Sequence, residues 1–104
     1  MKHVTKNKIN WSKYTGFQQK VYRAIMKIPP GQVLTYSQVA RRIGQPTAAR
    51  AVGTALAKNM DAPIIPCHRV VGYNSMGGYS APGGLKKKLQ ILKKEGYRGK
   101  IRNI

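Results

Sequence analysis

Phe17, Val21, Ile25 and Ile28 recur at helical spacing with Ala24 beside them, and Pro29-Pro30 ends the run. Thr15 stands where an N-cap belongs. Gly31 then opens a short extended piece over 32–34. A compact helix is predicted over 35–44: Thr35 and Gln38 have capping-box spacing, Val39, Ala40 and Ile43 form a small apolar face, and Gly44 suits the stop. After Gln45-Pro46 a further helix is predicted over 47–58, with Ala48, Ala49, Val52 and Leu56 turned to a core. Two short helices joined by a glycine-containing turn fit a helix-turn-helix and equally a plain helical hairpin.

The other face of the 47–58 helix carries Arg50, Gly53, Thr54 and Ala57. A mid-helix glycine costs about 1 kcal/mol relative to alanine, so Gly53 calls for a reason. An ordinary helix suits the major groove of DNA, and one stripped this bare could press into a widened minor groove. Close packing against another helix would explain the same residues. The stretch 62–79 reads as loop with short extended pieces. Gly83-Gly84 precede a last helix over 85–95, striped by Leu85, Leu89 and Leu92, with Lys86, Lys87, Lys93 and Lys94 on a solvated face. Gly96 ends it and the tail to Ile104 is basic. The chain thus divides into a basic lead-in over 1–14 and one domain over 15–104.

Charge narrows the partners. Twenty Lys and Arg against two Asp and Glu give a formal net charge of +18 in 104 residues, while 41% hydrophobic content supports a core. Phosphate polyanions are the commonest partner of such a surface, and a membrane surface is the main competitor. No apolar run approaches the roughly 20 residues of a membrane span, and residues 1–14 lack the apolar stretch of a signal peptide. The single cysteine rules out an intrachain disulfide framework and a multi-Cys zinc site. These features predict a reduced protein of the cytoplasm or nucleoid, without membrane association.

Cys67 lies in Ile64-Ile65-Pro66-Cys67-His68-Arg69-Val70-Val71. A lone cysteine is commonly a small buried hydrophobe. Here His68, Arg69 and the cationic surroundings favour the nucleophilic thiolate. In an extended segment neighbours point to opposite sides, so His68 would reach Cys67 through water or across a turn. Glu95, the only glutamate, sits at a helix C-terminus where its charge opposes the macrodipole. It would complete a Cys–His–Glu relay, or form a salt bridge with Lys88 or a nearby arginine. His3 has no evident partner.

Pro66-Cys67-His68-Arg69-Val70, with Thr35-Tyr36, Ala49-Arg50-Ala51-Val52-Gly53, Asn59, Gly78-Tyr79-Ser80 and Glu95-Gly96, resembles the O6-alkylguanine-DNA alkyltransferases. The match runs from about residue 17 to 96. The resemblance implies a mostly α, compact, winged-helix-like domain with a helix-turn-helix, an active-site loop and a C-terminal helix. It implies DNA repair by a monomer: O6-methylguanine is flipped from double-stranded DNA bound through the minor groove, and the methyl group moves irreversibly to Cys67, without cofactor or metal. Carried over residue by residue, Cys67 is the acceptor, His68 its water-linked base, Glu95 the partner of His68, and Asn59 the brace of the turn. Arg50 would fill the gap in the base stack, and Gly53 and Ala57 would lie against the groove. Tyr36 would rotate the nucleotide and line the pocket, with Tyr79 and Ser80 at its lip and Ser80 bonded to guanine O6.

The chain departs from the family pattern in three places. Members often carry an additional N-terminal α/β domain, whereas only about fourteen residues precede the match, as in the small alkyltransferase-like lesion binders. Those relatives commonly have Trp or Ala where this chain has Cys67. Asn59-Met60 replaces Asn-Pro, and Ala81-Pro82 intervenes before Gly83-Gly84. The competing readings are a lesion sensor without transfer and a basic helix-turn-helix regulator with a structural cysteine.

Overall fold

Thr15 Oγ1 accepts from the Gln18 amide and the Gln18 side chain accepts from Thr15 N–H, so α1 (Gly16–Ile25) starts at a closed capping box. The computed structural model describes residues 9–99; residues 1–8 of the basic lead-in, with His3, and residues 100–104 of the tail lie outside the described residues. α1 buries Val21, Tyr22 and Ile25 and ends three residues before Ile28, which packs into the core from the following turn. β1 (Leu34–Thr35) leads directly into α2 (Tyr36–Arg42), capped by the predicted Thr35–Gln38 box. Gly44, at φ +77°, takes the left-handed conformation that terminates α2.

α3 (Ala49–Ala57) begins two residues later than the pattern predicted. Pro46 and Thr47 lie in a turn closed by Ala48 N–H donating to Gln45 C=O at 2.9 Å, and no side chain caps the helix. α2 and α3 form the helix-turn-helix, and Tyr22 of α1 donates its hydroxyl to Ala55 C=O, tying α1 to α3. β2 (Val70–Val71) pairs parallel with β1 in the register Leu34↔Val70 and Thr35↔Val71. Successive strand residues face opposite ways. Val70 therefore joins the main core of α1, α2 and α3, while Val71 joins a second core with Met76 and Leu92 of α4 (Gly84–Lys94). Two valines thus rivet the C-terminal helix to the helix-turn-helix.

The architecture is mostly α, and among the described residues no helix is long and apolar enough to cross a membrane. Tyr14, read from the sequence as lead-in, is buried edge-on against Tyr22 with ring centroids 4.7 Å apart. Its hydroxyl donates to Asp61 and accepts from Met60 N–H at 3.0 Å. Residues near the start of the chain are thereby fastened to the turn after α3.

Candidate active site

The cysteine segment curls instead of extending. Residues Cys67–Arg69 form a single 3-10 turn, with Arg69 N–H donating to Pro66 C=O at 2.9 Å. Cys67 is 6% exposed and borders a cavity of about 270 Å³. Tyr36, at the start of α2, and Gly53, Leu56 and Ala57 of α3 form one side; Gly78, Tyr79 and Ser80 form the other. Ser80 Oγ donates to Ala57 C=O at 3.0 Å, closing the rim. The Gly78 backbone hydrogen-bonds the Tyr36 hydroxyl. Gly77 has φ +74°, and a Cβ there would collide with that hydroxyl, so glycine is required on two counts.

His68 is 1% exposed, and its Nε2 lies 3.0 Å from Glu95 Oε2. Arg69 grips the same carboxylate with two bonds, Nε to Oε1 at 3.0 Å and Nη2 to Oε2 at 2.7 Å, and donates Nη1 to Ile28 C=O. Relay and salt bridge, alternatives in the sequence, coexist on one glutamate. Burial pushes the Glu95 carboxyl up, but the hydrogen bonds from Arg69 and His68 outweigh it and hold it below the usual range. Burial keeps His68 below its ordinary value, only partly offset by Glu95. The pair is a neutral imidazole on an ionised carboxylate. Nδ1 of His68 is buried with no hydrogen-bond partner among the described residues.

The expectation that cationic neighbours favour the thiolate is overturned. Burial pushes the Cys67 thiol up, opposed by a hydrogen bond from Asn59 and the charge of Lys88. Arg69 is spent on Glu95 and Ile28, and His68 is uncharged, so neither supplies the positive charge anticipated. Asn59 sits in the turn after α3, where Nδ2 donates to Ile65 C=O at 2.9 Å and Oδ1 accepts from Asp61 N–H at 2.8 Å.

Lys88 was missed. It does not reach Glu95; it is fully buried, and its Nζ donates to the carbonyls of Val70 (2.7 Å), Met76 and Gly78 (3.0 Å). Those three acceptors span the loop between β2 and the cavity rim. Burial pushes its ammonium down to about 8. A signal was present: Lys88 falls at i+3 from Leu85 and i−4 from Leu92, inside the apolar stripe, unlike exposed Lys86, Lys87, Lys93 and Lys94.

A wider groove of about 620 Å³ adjoins the cavity and shares Tyr36, Gly53 and Ala57 with it. Exposed Arg50 and Thr54 line it, as does Ala49, which the pattern had assigned to the core. Ala55 is buried in its stead, alongside Val52 and Leu56. The structure therefore gathers Cys67, Tyr36, Gly53, Ala57, Tyr79 and Ser80 around one cavity, joins His68 to Glu95, and puts Arg50 on the adjoining groove. Among the described residues no group of His, Cys, Asp and Glu could hold a metal ion.

Residues 16–97 match the model of the 6-O-methylguanine DNA methyltransferase DNA-binding domain. A probable methylated-DNA–protein-cysteine methyltransferase of Acanthamoeba polyphaga mimivirus is 52% identical over 80 residues, 77% of this chain and 52% of that protein. Among solved structures, Mycobacterium tuberculosis OGT in complex with DNA is 44% identical with a TM-score of 0.75, covering 79% of this chain and 50% of that one. S. pombe Atl1, in complex with damaged DNA containing O6-carboxymethylguanine, is 35% identical with a TM-score of 0.63, covering 77% and 75%. The chain spans about half the length of the curated relatives it matches. With its cysteine turn, cavity and helix-turn-helix assembled as described, the chain belongs to the 6-O-methylguanine DNA methyltransferase family through its DNA-binding domain.

Proposed function

We propose that the chain repairs DNA by taking the O6-methyl group of a flipped guanine onto Cys67 in a single turnover. The observation that carries this reading is the cysteine at the edge of a cavity bounded by the bare face of α3. The minor groove would receive Gly53 and Ala57 while the lysines meet phosphates. Unstacking the base costs a few kcal/mol, which those contacts and insertion of Arg50 offset. Tyr36 and Tyr79 would hold the extruded purine, with Ser80 at its O6 edge.

The transfer conserves atoms and charge. The Cys67 proton passes to His68 Nδ1 through a water, and Glu95 stabilises the resulting imidazolium. The thiolate attacks the methyl carbon; the S–C bond forms as the C–O6 bond breaks, and the electron pair goes to the purine. Return of the proton from the His68 imidazolium through water neutralises the purine anion and leaves unmodified guanine in the strand. The product thioether is a poor leaving group, so the protein is consumed.

Incubation with an O6-methylguanine duplex followed by mass measurement of the Cys67 peptide tests this reading. A gain of one methyl group on that peptide is expected, and Cys67→Ala should abolish it while sparing lesion binding. Tight binding with no gain would instead establish a lesion sensor. That second reading is favoured by the raised thiol and by 35% identity to S. pombe Atl1, solved in complex with damaged DNA containing O6-carboxymethylguanine.

A further inference from the structure

Tyr73 is 86% exposed, the highest exposure among the large hydrophobic side chains in the described residues. It projects from the short loop after β2, and neither the cavity nor the His68–Glu95 pair uses it. The loop beneath it is anchored. Lys88 holds the carbonyls of Val70 and Met76 on either side of it, and Ser75 Oγ accepts from Gly77 N–H at 3.2 Å. Gly72 packs so closely on Ser75 that a Cβ would not fit. A ring presented to water on an anchored loop sheds no apolar area inside this chain, so a partner is the natural place for its burial.

The ring lines the same groove as Arg50, Thr54 and Ser37, and that groove opens onto the Cys67 cavity through Tyr36 and Gly53. From this placement we infer that Tyr73 is a second DNA-contacting element, stacking its ring on the base of a nucleotide beside the extruded one. Arg50 comes to the groove from α3 and Tyr73 from the β2 loop, so the strand carrying the lesion would run between a cation and an aromatic plate. Stacking suits this site because every base offers a π face, which leaves the protein indifferent to sequence. The net charge of +18 supplies the long-range attraction that brings the strand there. The inference rests on the proposed DNA-repair function.

The test measures binding of the 104-residue chain carrying Cys67→Ala, the parent for this comparison, to an O6-methylguanine duplex of about 16 base pairs, where a base is extruded and no transfer intervenes, at several salt concentrations. Tyr73→Ala should weaken binding about fivefold or more, the lower end of what loss of one stacked base produces, with an unchanged salt slope. Tyr73→Phe should stay within about twofold of the parent, because it keeps the ring. Circular dichroism should show both variants folded, since the side chain is exposed. A loss with Tyr73→Phe equal to that with Tyr73→Ala would overturn the stacking role in favour of a hydroxyl–phosphate contact. Tyr73→Ala binding less than about fivefold weaker than the parent would overturn it outright. A parent chain that binds no duplex would sink this inference together with the function beneath it; parent binding with an indifferent Tyr73→Ala would sink this inference alone.

Discussion

His68 and Glu95 meet at 3.0 Å through imidazole Nε2 and carboxylate Oε2, and this contact sets the tautomer of the ring. Glu95 is ionised and accepts only, so the neutral imidazole donates Nε2–H to it and leaves the lone pair on Nδ1. Nδ1 is the nitrogen with no partner among the described residues, and is therefore the basic one. Arg69 fixes the carboxylate from its other side, so the imidazole cannot turn without losing its anchor. Glu95→Gln should slow single-turnover transfer about a hundredfold at neutral pH, the low end for general acid–base assistance, and displace the pH–rate profile to higher pH. Rapid-quench measurements from pH 6 to 9 would reveal this; an unmoved profile removes Glu95 from the relay.

Asn59 opposes the burial that pushes the Cys67 thiol up. Asn59→Ala should therefore raise the thiol further and slow its alkylation by iodoacetamide at any fixed pH below the titration. Alkylation rate against pH reads the shift directly. A midpoint equal to that of the parent would leave Asn59 as a brace of the turn alone.

Lys88 is a strut of the cavity rim. Lys88→Met removes a buried charge but leaves the carbonyls of Val70, Met76 and Gly78 without their donor. A loss of about 1–3 kcal/mol in urea unfolding is expected, because buried carbonyls are deprived of hydrogen bonds. Lys87→Met, one position away and exposed, should stay within about 0.5 kcal/mol of the parent. Equal effects would contradict the assignment.

Gly77→Ala should be costly for a different reason. It demands φ +74° of an L residue and drives a methyl group into the Tyr36 hydroxyl. The pocket wall must shift, so transfer should fall along with stability. Gly16→Ala, where a Cβ meets nothing within 4 Å and the backbone is helical, is the matched control. Parallel thermal melts and transfer assays would separate the two.

Acid stability rests on few groups. Hydrogen bonding from Tyr14 and the nearby Lys13 hold Asp61 below the carboxylate range, and Glu95 is low despite its burial. Their contribution is present above the unfolded carboxylate values of about 4 and is lost as pH falls through the folded ones. His68, held low by burial, acts earlier: below about 6.5 the unfolded chain takes up a proton that the folded chain resists, so stability declines from there. Urea midpoints between pH 7 and 3 should fall in two stages. Asp61 and Glu95 are the only side-chain carboxylates, so Asp61→Asn with Glu95→Gln should flatten the lower stage. A lower stage that persists in the double variant would refute this account.

Features written within a few residues were legible in the sequence: the capping boxes at Thr15 and Thr35, the stop at Gly44, the α2–α3 pair, and the stripe of Leu85, Leu89 and Leu92. Such signals depend on neighbours one helical turn away, and the family motifs carried Cys67, His68 and Glu95 with them. Depth was not legible. The thiol is raised where cations alone would have lowered it, Lys88 points inward from a run of solvated lysines, and Tyr14 is core. Each of these outcomes turns on desolvation by groups distant in the chain: Lys88 meets carbonyls 10 to 18 positions away, and Tyr14 meets Asp61 across 47. Residue order specifies which groups are available, but packing sets how much water each one keeps, and the loss of that water governs their charge.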